Sequence, residues 1–356
     1  MGKKIETEGK TILVTGSPGF IGAALVKRLL RECGSGHIIS LDNMCDYYDT
    51  ALKEHRLAGI EKASEVCGAK HTFIRGSIAD SVLIRRVFEE YRPDIVVNLA
   101  AQAGVRYSID HPDTYIESNI IGFYNILEAC RHSYDNGSEG VRHLVYASSS
   151  SVYGGNTEIP YSVEDKTDMP VSLYAATKKS DELLAYAYSK LYGIPATGLR
   201  FFTVYGPAGR PDMFYYSATE KLRRGDAITL FNYGNCRRDF TYIDDIIEGL
   251  LRVLKSAPEE NGSLSAAHAV YNIGGGNPVE LTEFVSVLTE ELIRAGILPE
   301  RFDLTEHVRM AGMQPGDMTE TYADTEAFER DFGFTPETEI RAGLRTFAEW
   351  YSMYVQ

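Results

Sequence analysis

Apolar and polar positions divide the chain into short β-branched runs and longer stretches with helical spacing. Thr11-Ile-Leu-Val-Thr15 is nearly all apolar, short, and suited to a strand covered on both faces. The runs at 37–41, 71–75, 94–98, 142–147, 195–201 and 270–273 read the same way. Between them, 23–31, 52–65, 83–91, 115–131 and 171–192 read as amphipathic helices. Strands alternating with helices predict a doubly wound parallel sheet with right-handed crossovers, an α/β fold. Beyond 202 the pattern changes to a turn-rich stretch, 203–213, then helices at 245–254, 280–295 and 339–354. The division expected is a first unit over 1–202, with 243–275 and 335–356 returning to it, and a smaller C-terminal α/β lobe from 203–242 and 276–334. Segment 256–267, rich in Ser, Glu, Gly and Asn, reads as a surface loop, and 314–317 as another. Leu183, Leu184, Tyr188 and Leu191 form an apolar stripe. It fits either a core face or, with helix 115–131, a dimer face.

Composition narrows the class. The 356 residues are 44% hydrophobic and 24% charged, with a net charge of −14. That balance argues against a general nucleic-acid or anionic-membrane binder, and an anionic substrate would need a local basic patch. Cys33, Cys45, Cys67, Cys130 and Cys236 form no C-x-x-C pair and are odd in number. Reduced thiols in a cytoplasmic protein and no metal site are expected. No 18-residue apolar stretch occurs, so neither signal peptide nor membrane anchor is expected.

Candidate chemistry begins at the first strand. Gly16-x-x-Gly19-Phe20-Ile21-Gly22 joins that strand to a helix. Gly16 permits a tight turn, Gly19 lets main chain approach a pyrophosphate, and Gly22 lets helix and strand pack closely. The helix N-terminus adds amides and partial positive charge. Asp42-Asn43 ends the second strand, 20 residues after Gly22. An acid there bonds adenosine ribose hydroxyls and repels a 2′-phosphate, favouring NAD over NADP; the other reading is a turn-capping Asp. Ser77-Ile78 follows the third strand as a place for adenine. Leu99-Ala100-Ala101-Gln102, leaving the fourth strand, and Phe201, ending the sixth, complete the cofactor candidates.

Tyr174 and Lys178 stand four residues apart and share one helix face. An ammonium beside a phenol favours the phenolate and fits the tyrosine as a base. Ser149, in Ser148-Ser-Ser-Ser151 at a strand end, is placed to hydrogen-bond the same substrate hydroxyl. Arg210 stands alone in the turn-rich stretch, and Asn232, Arg237 and Arg238 flank an aromatic strand. These are the local positive charges that an anionic nucleotide substrate needs; an ordinary surface pair is the alternative for Arg237 and Arg238. Arg106 reads equally as a surface charge or a site residue.

The glycine triplet, Ser-Ser-Val152-Tyr-Gly, Tyr174-x-x-x-Lys178 and Arg238-Asp-Phe-Thr-Tyr-Ile-Asp-Asp together resemble the extended short-chain dehydrogenase/reductases that act on nucleotide sugars, the NAD-dependent epimerases and dehydratases with a Rossmann-like core. Finer strings resemble the UDP-glucuronate 4-epimerases: Asp42-Asn-x-x-Asp-Tyr-Tyr-Asp49, Asn98-Leu-Ala-Ala-Gln-Ala-Gly-Val-Arg-Tyr-Ser108, Phe202-Thr-Val-Tyr-Gly-Pro207, Gly209-Arg-Pro-Asp-Met213 and Met313-Gln-Pro-Gly-Asp317. The resemblance implies a tightly held NAD regenerated each turnover, a UDP-sugar substrate inverted at carbon 4 through a 4-keto sugar, and a homodimer. Tyr174, Lys178 and Ser149 would be catalytic. Ser149, Ser150, Ser151, Thr203, Arg210, Asn232, Arg238 and Asp317 would bind substrate, with Thr203 and Arg210 on the sugar carboxylate.

Acidic residues precede Val-Tyr-Gly in dehydratases, and the second of them is Glu in the decarboxylases. Here Ser150 and Ser151 stand there. UDP-glucose 4-epimerases carry Asn at Thr203 and Arg at Gln314. Two residues depart from the family pattern: Ser77 replaces an Asp, and Ala208 a Trp. The rivals are a UDP-glucose 4-epimerase, a UDP-glucuronate decarboxylase and a non-catalytic NAD-binding regulator.

Overall fold

The computed structural model describes residues 2–260, 265–313 and 318–355. Seven strands form a central sheet: β1 Thr11–Thr15, β2 His37–Asp42, β3 Lys70–Arg75, β4 Ile95–Asn98, β5 His143–Ser149, β6 Ala196–Phe201 and β7 His268–Ile273. Their order across the sheet is β7-β6-β5-β4-β1-β2-β3, and every pairing is parallel. The order reverses between β1 and β4, the switch point at which ligands enter open α/β sheets.

Side-chain alternation along the strands explains why both faces are covered. Ile12 and Val14 of β1 join one buried cluster with Val26, Leu29, Ile247 and Leu250. Leu13 joins the opposite one with Val87, Phe88, Ile126 and Leu127. Helices on both faces therefore bury a strand that has no polar side.

The helix expected at 115–131 is continuous from Pro112–Tyr115 through Gly122–His132, but Ile116–Ile121 between them is a π-helix. Such widened turns recur at functional sites. Here the turn carries the buried Asn119, whose Nδ2 donates to the Gln102 carbonyl at 3.0 Å and to Thr177 Oγ1 at 2.9 Å. The apolar stripe on Leu173–Tyr192 divides: Leu184 and Tyr188 pack on the core, while Leu183 and Leu191 are 61% and 71% exposed.

Past β6 the chain builds smaller pairings. Thr203–Tyr205 runs parallel to Phe240–Tyr242, Ile228–Leu230 parallel to Val308–Met310, and Arg237–Arg238 antiparallel to Val279–Glu280. The last helix, Ile340–Tyr354, packs its Phe347 against Tyr215 and Tyr216. The loop expected at 256–267 begins instead as a strand: Ser256–Ala257 pairs with Lys3–Lys4, and Ala257 is buried. The N-terminus reaches across and claims those backbone groups, a pairing that local composition does not encode. No helix among the described residues is long and apolar enough to cross a membrane.

Candidate active site

The carboxyl ends of β1, β2, β4, β5 and β6 open on a cleft of about 700 Å³. At its first end lies the glycine turn. Gly16 has φ +70°, and a Cβ there would lie 2.7 Å from the Ala100 amide nitrogen. A Cβ on Gly22 would strike the Gly16 carbonyl oxygen. Only glycines let β1, β4 and the helix Phe20–Glu32 meet this closely. Gly19 caps that helix without a side-chain bond, so the first-turn amides have no competing side-chain cap, the arrangement that suits a phosphate. The residues present fit a dinucleotide.

Asp42 Oδ1 accepts from the Met44 amide at 2.6 Å and from Lys53 Nζ at 3.3 Å. Its Oδ2 has no partner among the described residues, so the carboxylate serves the turn and keeps one oxygen for a ligand.

Further along, Ser172 caps the helix Leu173–Tyr192 by accepting from the Ala175 amide at 3.1 Å. That cap presents Tyr174 to the cleft in the first turn. Lys178, one turn on, is buried; its Nζ donates to the Ala147 carbonyl at 2.9 Å and to Asp181 Oδ2 at 3.2 Å. Burial pushes Asp181 up to about 7 against the pull of Lys178. Behind them Glu182 takes two bonds from Arg200, at 2.8 and 2.9 Å, and one from Ser148 Oγ at 2.7 Å. Burial raises Glu182, but bonds from Arg200, Lys179 and Ser148 outweigh it and hold the carboxyl below its ordinary value. This network ties helix Leu173–Tyr192 to the ends of β5 and β6 and so fixes Ser149 relative to Tyr174. Ser149 Oγ accepts from the Ser151 amide at 3.2 Å and from Ser151 Oγ at 3.0 Å.

The far end carries cations and rings. Arg210 Nε donates to Asp212 Oδ1 at 2.9 Å, and its Nη2 to Asp212 Oδ2. Tyr47 Oη donates to the same Oδ2 at 3.3 Å. Burial, then the Asp212 charge, push Tyr47 up to about 12. An aromatic wall links it to the catalytic candidate: Tyr47–Tyr107 centroids are 4.6 Å apart, Tyr107–Tyr115 6.4 Å and Tyr115–Tyr174 6.0 Å. Arg238 donates to the Met318 carbonyl at 2.6 Å and also lines the cleft.

Arg56 braces the two ends. It is 2% exposed. Its guanidinium donates to the Pro18 carbonyl of the glycine turn at 3.1 Å, and to the carbonyls of Ala208 and Gly209, both at 2.9 Å. The segment that carries Arg210 is thus hung from the turn that carries Gly19.

Among the sequence candidates, Gly16, Gly19, Phe20, Ile21, Gly22, Asp42, Leu99, Ala101, Gln102, Ser149, Ser150, Ser151, Tyr174, Lys178, Phe201, Thr203, Arg210 and Arg238 all line this one cleft. Five do not. Asn43 is exposed and accepts from the Cys45 amide. Ser77 Oγ accepts from the Ala79 amide, a turn bond that a ligand would have to share. Ile78 is buried, and its carbonyl accepts from Asn125. Ala100 packs behind the Gly16 turn. Asn232 has φ +51° and donates to the Asn235 carbonyl. Asp317, with Gln314 and the loop 314–317, lies outside the described residues. Arg106, open on sequence grounds, lines the cleft with its Cζ 5.2 Å from the Phe231 ring centroid.

Sequence reasoning missed Tyr47, Lys53, Tyr107 and Asp212 as lining residues, and Arg56 and Tyr115 behind them. Only the fold brings Tyr47 and Asp212 together, across 165 residues.

A family model described as NAD dependent epimerase/dehydratase matches residues 12–274. Protein CapI of Staphylococcus aureus is 46% identical over 96% of this chain and 98% of its own. UDP-glucuronate 4-epimerase 2 of Arabidopsis thaliana is 42% identical over 97% of this chain and 76% of its own. The crystal structure of the UDP-glucuronic acid 4-epimerase from Bacillus cereus, in complex with UDP-glucuronic acid and NAD, superposes with a TM-score of 0.80 at 29% identity, covering 97% of this chain and 99% of that one.

Proposed function

The chain belongs to the NAD dependent epimerase/dehydratase family, and from that premise we propose that it is an isomerase converting UDP-glucuronate to UDP-galacturonate. The observation that carries the reading is one cleft lined by Tyr174, Lys178 and Ser149 together with Thr203 and Arg210.

NAD would lie along Gly16, Gly19, Gly22, Asp42, Leu99, Ala101 and Gln102, and the chemistry it supplies when bound is acceptance and return of the hydride of carbon 4. Tyr174 takes the proton of the sugar 4-hydroxyl as phenolate, and Ser149 hydrogen-bonds the same oxygen. Lys178, fixed by Ala147 and Asp181, stands one helix turn from Tyr174 and favours loss of its phenolic proton. The 4-keto sugar turns within the cleft, and Tyr174 returns the proton to the 4-oxygen on the inverted centre. UDP lies toward Arg238.

A 4-keto uronate is a β-keto acid and loses carbon dioxide easily, so an epimerase has to hold its carboxylate firmly. Arg210 and Thr203 hold it, because a charge-assisted pair favours the ionised acid over departing carbon dioxide. Ser150 and Ser151 offer no carboxylate base for elimination. Arg210→Ala is expected to raise the KM for UDP-glucuronate about a hundredfold and to release carbon dioxide. An unchanged KM with no carbon dioxide would remove Arg210 from the site.

The residues divide as a cofactor unit, 1–202 with 243–275 and 335–356, and a sugar lobe, 203–242 with 276–334. The protein works in the cytoplasm, without nucleic-acid or membrane partners, as a homodimer. Exposed Ile116, Ile121, Tyr124, Leu183, Tyr186 and Leu191 on the two long helices support that pairing. Sedimentation of a Leu183→Lys/Leu191→Lys variant as monomer, against a dimeric parent, tests it.

A further inference from the structure

We propose that Asp212 is a positioning residue that turns Arg210 so that one edge of its guanidinium is reserved for the sugar carboxylate. The inference rests on the reading of the far end of the cleft as the carboxylate site.

A guanidinium has five N–H donors and two edges that can each hold a carboxylate. Asp212 occupies the edge formed by Nε and Nη2. Nη1 has no hydrogen-bond partner among the described residues, so the end-on edge formed by Nη1 and Nη2 stays open. Arg210 and Asp212 keep 23% and 28% of their side-chain surface exposed, and it is the paired hydrogen bonds between them that set the orientation of the guanidinium. Tyr47 locks the carboxylate from the other side through its hydroxyl, 3.3 Å from Oδ2, and its ring centroid lies 6.0 Å from Arg210 Cζ. The backbone beneath is tight: Gly104 has φ +107°, and a Cβ there would stand 3.1 Å from Tyr47 Oη and 4.0 Å from Asp212 Oδ2. Three elements far apart in sequence converge to hold one arginine.

The consequence for chemistry is directional. Carbon dioxide leaves when the C5–C6 bond breaks, its electron pair passes into the C4–C5 enolate, and C5 then takes a proton from solvent. That step needs the C5–C6 bond to stand perpendicular to the plane of the C4 carbonyl, so that its electron pair overlaps the carbonyl π system. An arginine fixed by its own acid holds C6 away from that alignment, whereas one free to swing follows the carboxylate into it.

The opposite role is the alternative that the test separates. If Asp212 were instead a surrogate that substrate has to displace, its removal would tighten uronate binding. The test is calorimetric titration of holoenzyme in a Tyr174→Phe background, which stops turnover, with UDP-glucuronate and with UDP-glucose. Asp212→Asn is expected to weaken UDP-glucuronate about tenfold and leave UDP-glucose within twofold. In the Tyr174 parent it is expected to raise the carbon dioxide released per epimerisation at least fivefold. Tyr47→Phe is expected to do the same to a smaller degree, and it carries the test if Asp212→Asn does not fold. Tighter or unchanged UDP-glucuronate binding in both variants overturns the proposal. Failure of the epimerase reading is seen separately, as a parent enzyme that forms no UDP-galacturonate while the binding contrast persists.

Discussion

At the glycine end of the cleft the groups offered to a ligand are main-chain ones: the uncapped first turn of Phe20–Glu32 and the close crossing of Gly16 with Ala100. At the sugar end they are side chains, Tyr174, Thr203, Arg210 and Arg238, of which Arg210 is held by Asp212 and Arg238 by the Met318 carbonyl. A main-chain site tolerates any side chain that leaves the backbone path open, so its constraint falls on what must be absent, a Cβ. A side-chain site constrains what must be present and how it is aimed. Substitutions at the two ends should therefore fail in different ways, and Arg56, bonded to both, should fail in both.

The largest effect is expected from Tyr174→Phe. Removing the phenolic hydroxyl should cost a factor of about 10²–10⁴ in kcat while the purified protein keeps its cofactor absorbance; loss of cofactor as well would mean that the two ends are not separable. Arg56→Met leaves four acceptors short of a donor, two of them, the Pro18 and Gly209 carbonyls, in buried bonds. It should lower stability by about 3 kcal/mol, and cofactor retention and UDP-glucuronate KM should both worsen; damage at one end alone would break the brace. Gly22→Ala puts a methyl against the Gly16 carbonyl. It should weaken cofactor binding by about 1–3 kcal/mol, read by fluorescence titration of stripped protein, with little change in sugar affinity once cofactor is saturating.

The smallest effect belongs to a control at the opposite end of β5. Burial pushes His143 down to about 4, below its ordinary 6.5. The unfolded chain then binds the extra proton between those values, so this contribution to stability is complete above pH 6.5 and fades as pH falls toward 4. Between pH 7.5 and 5.5 it should remove about 1 kcal/mol. His143→Asn should flatten that part of the stability profile by the same amount without altering which sugar is made.

The same contrast explains what was legible in the sequence. The glycine turn and β1 to β6 could be read because their signals are local: a spacing of three, an apolar run, an acid at a strand end. Tyr174 and Lys178 were legible because one helix turn separates them. Ser77, Ile78 and Asn232 were assigned by position in a pattern, and the fold gives them other bonds: a turn for Ser77, the Asn125 side chain for the Ile78 carbonyl, and a local turn for Asn232. Tyr47 and Arg56 could not be assigned because their meaning lies in contacts 38 to 165 residues away, and Asp212, two residues from Arg210, because the spacing alone does not turn the two side chains toward each other. Strand Ser256–Ala257 was missed because its partner is the N-terminus.

Proton NMR of the purified protein with UDP-glucuronate and, separately, UDP-glucose, with no NAD added, tests whether one cleft epimerises a uronate with a cofactor it already holds. UDP-galacturonate is expected from the first and no UDP-galactose from the second. UDP-galactose forming as readily would contradict the role given to Thr203 and Arg210. UDP-pentose in place of UDP-galacturonate would contradict the carboxylate clamp, and no product even after NAD is supplied would favour a binding protein over an enzyme.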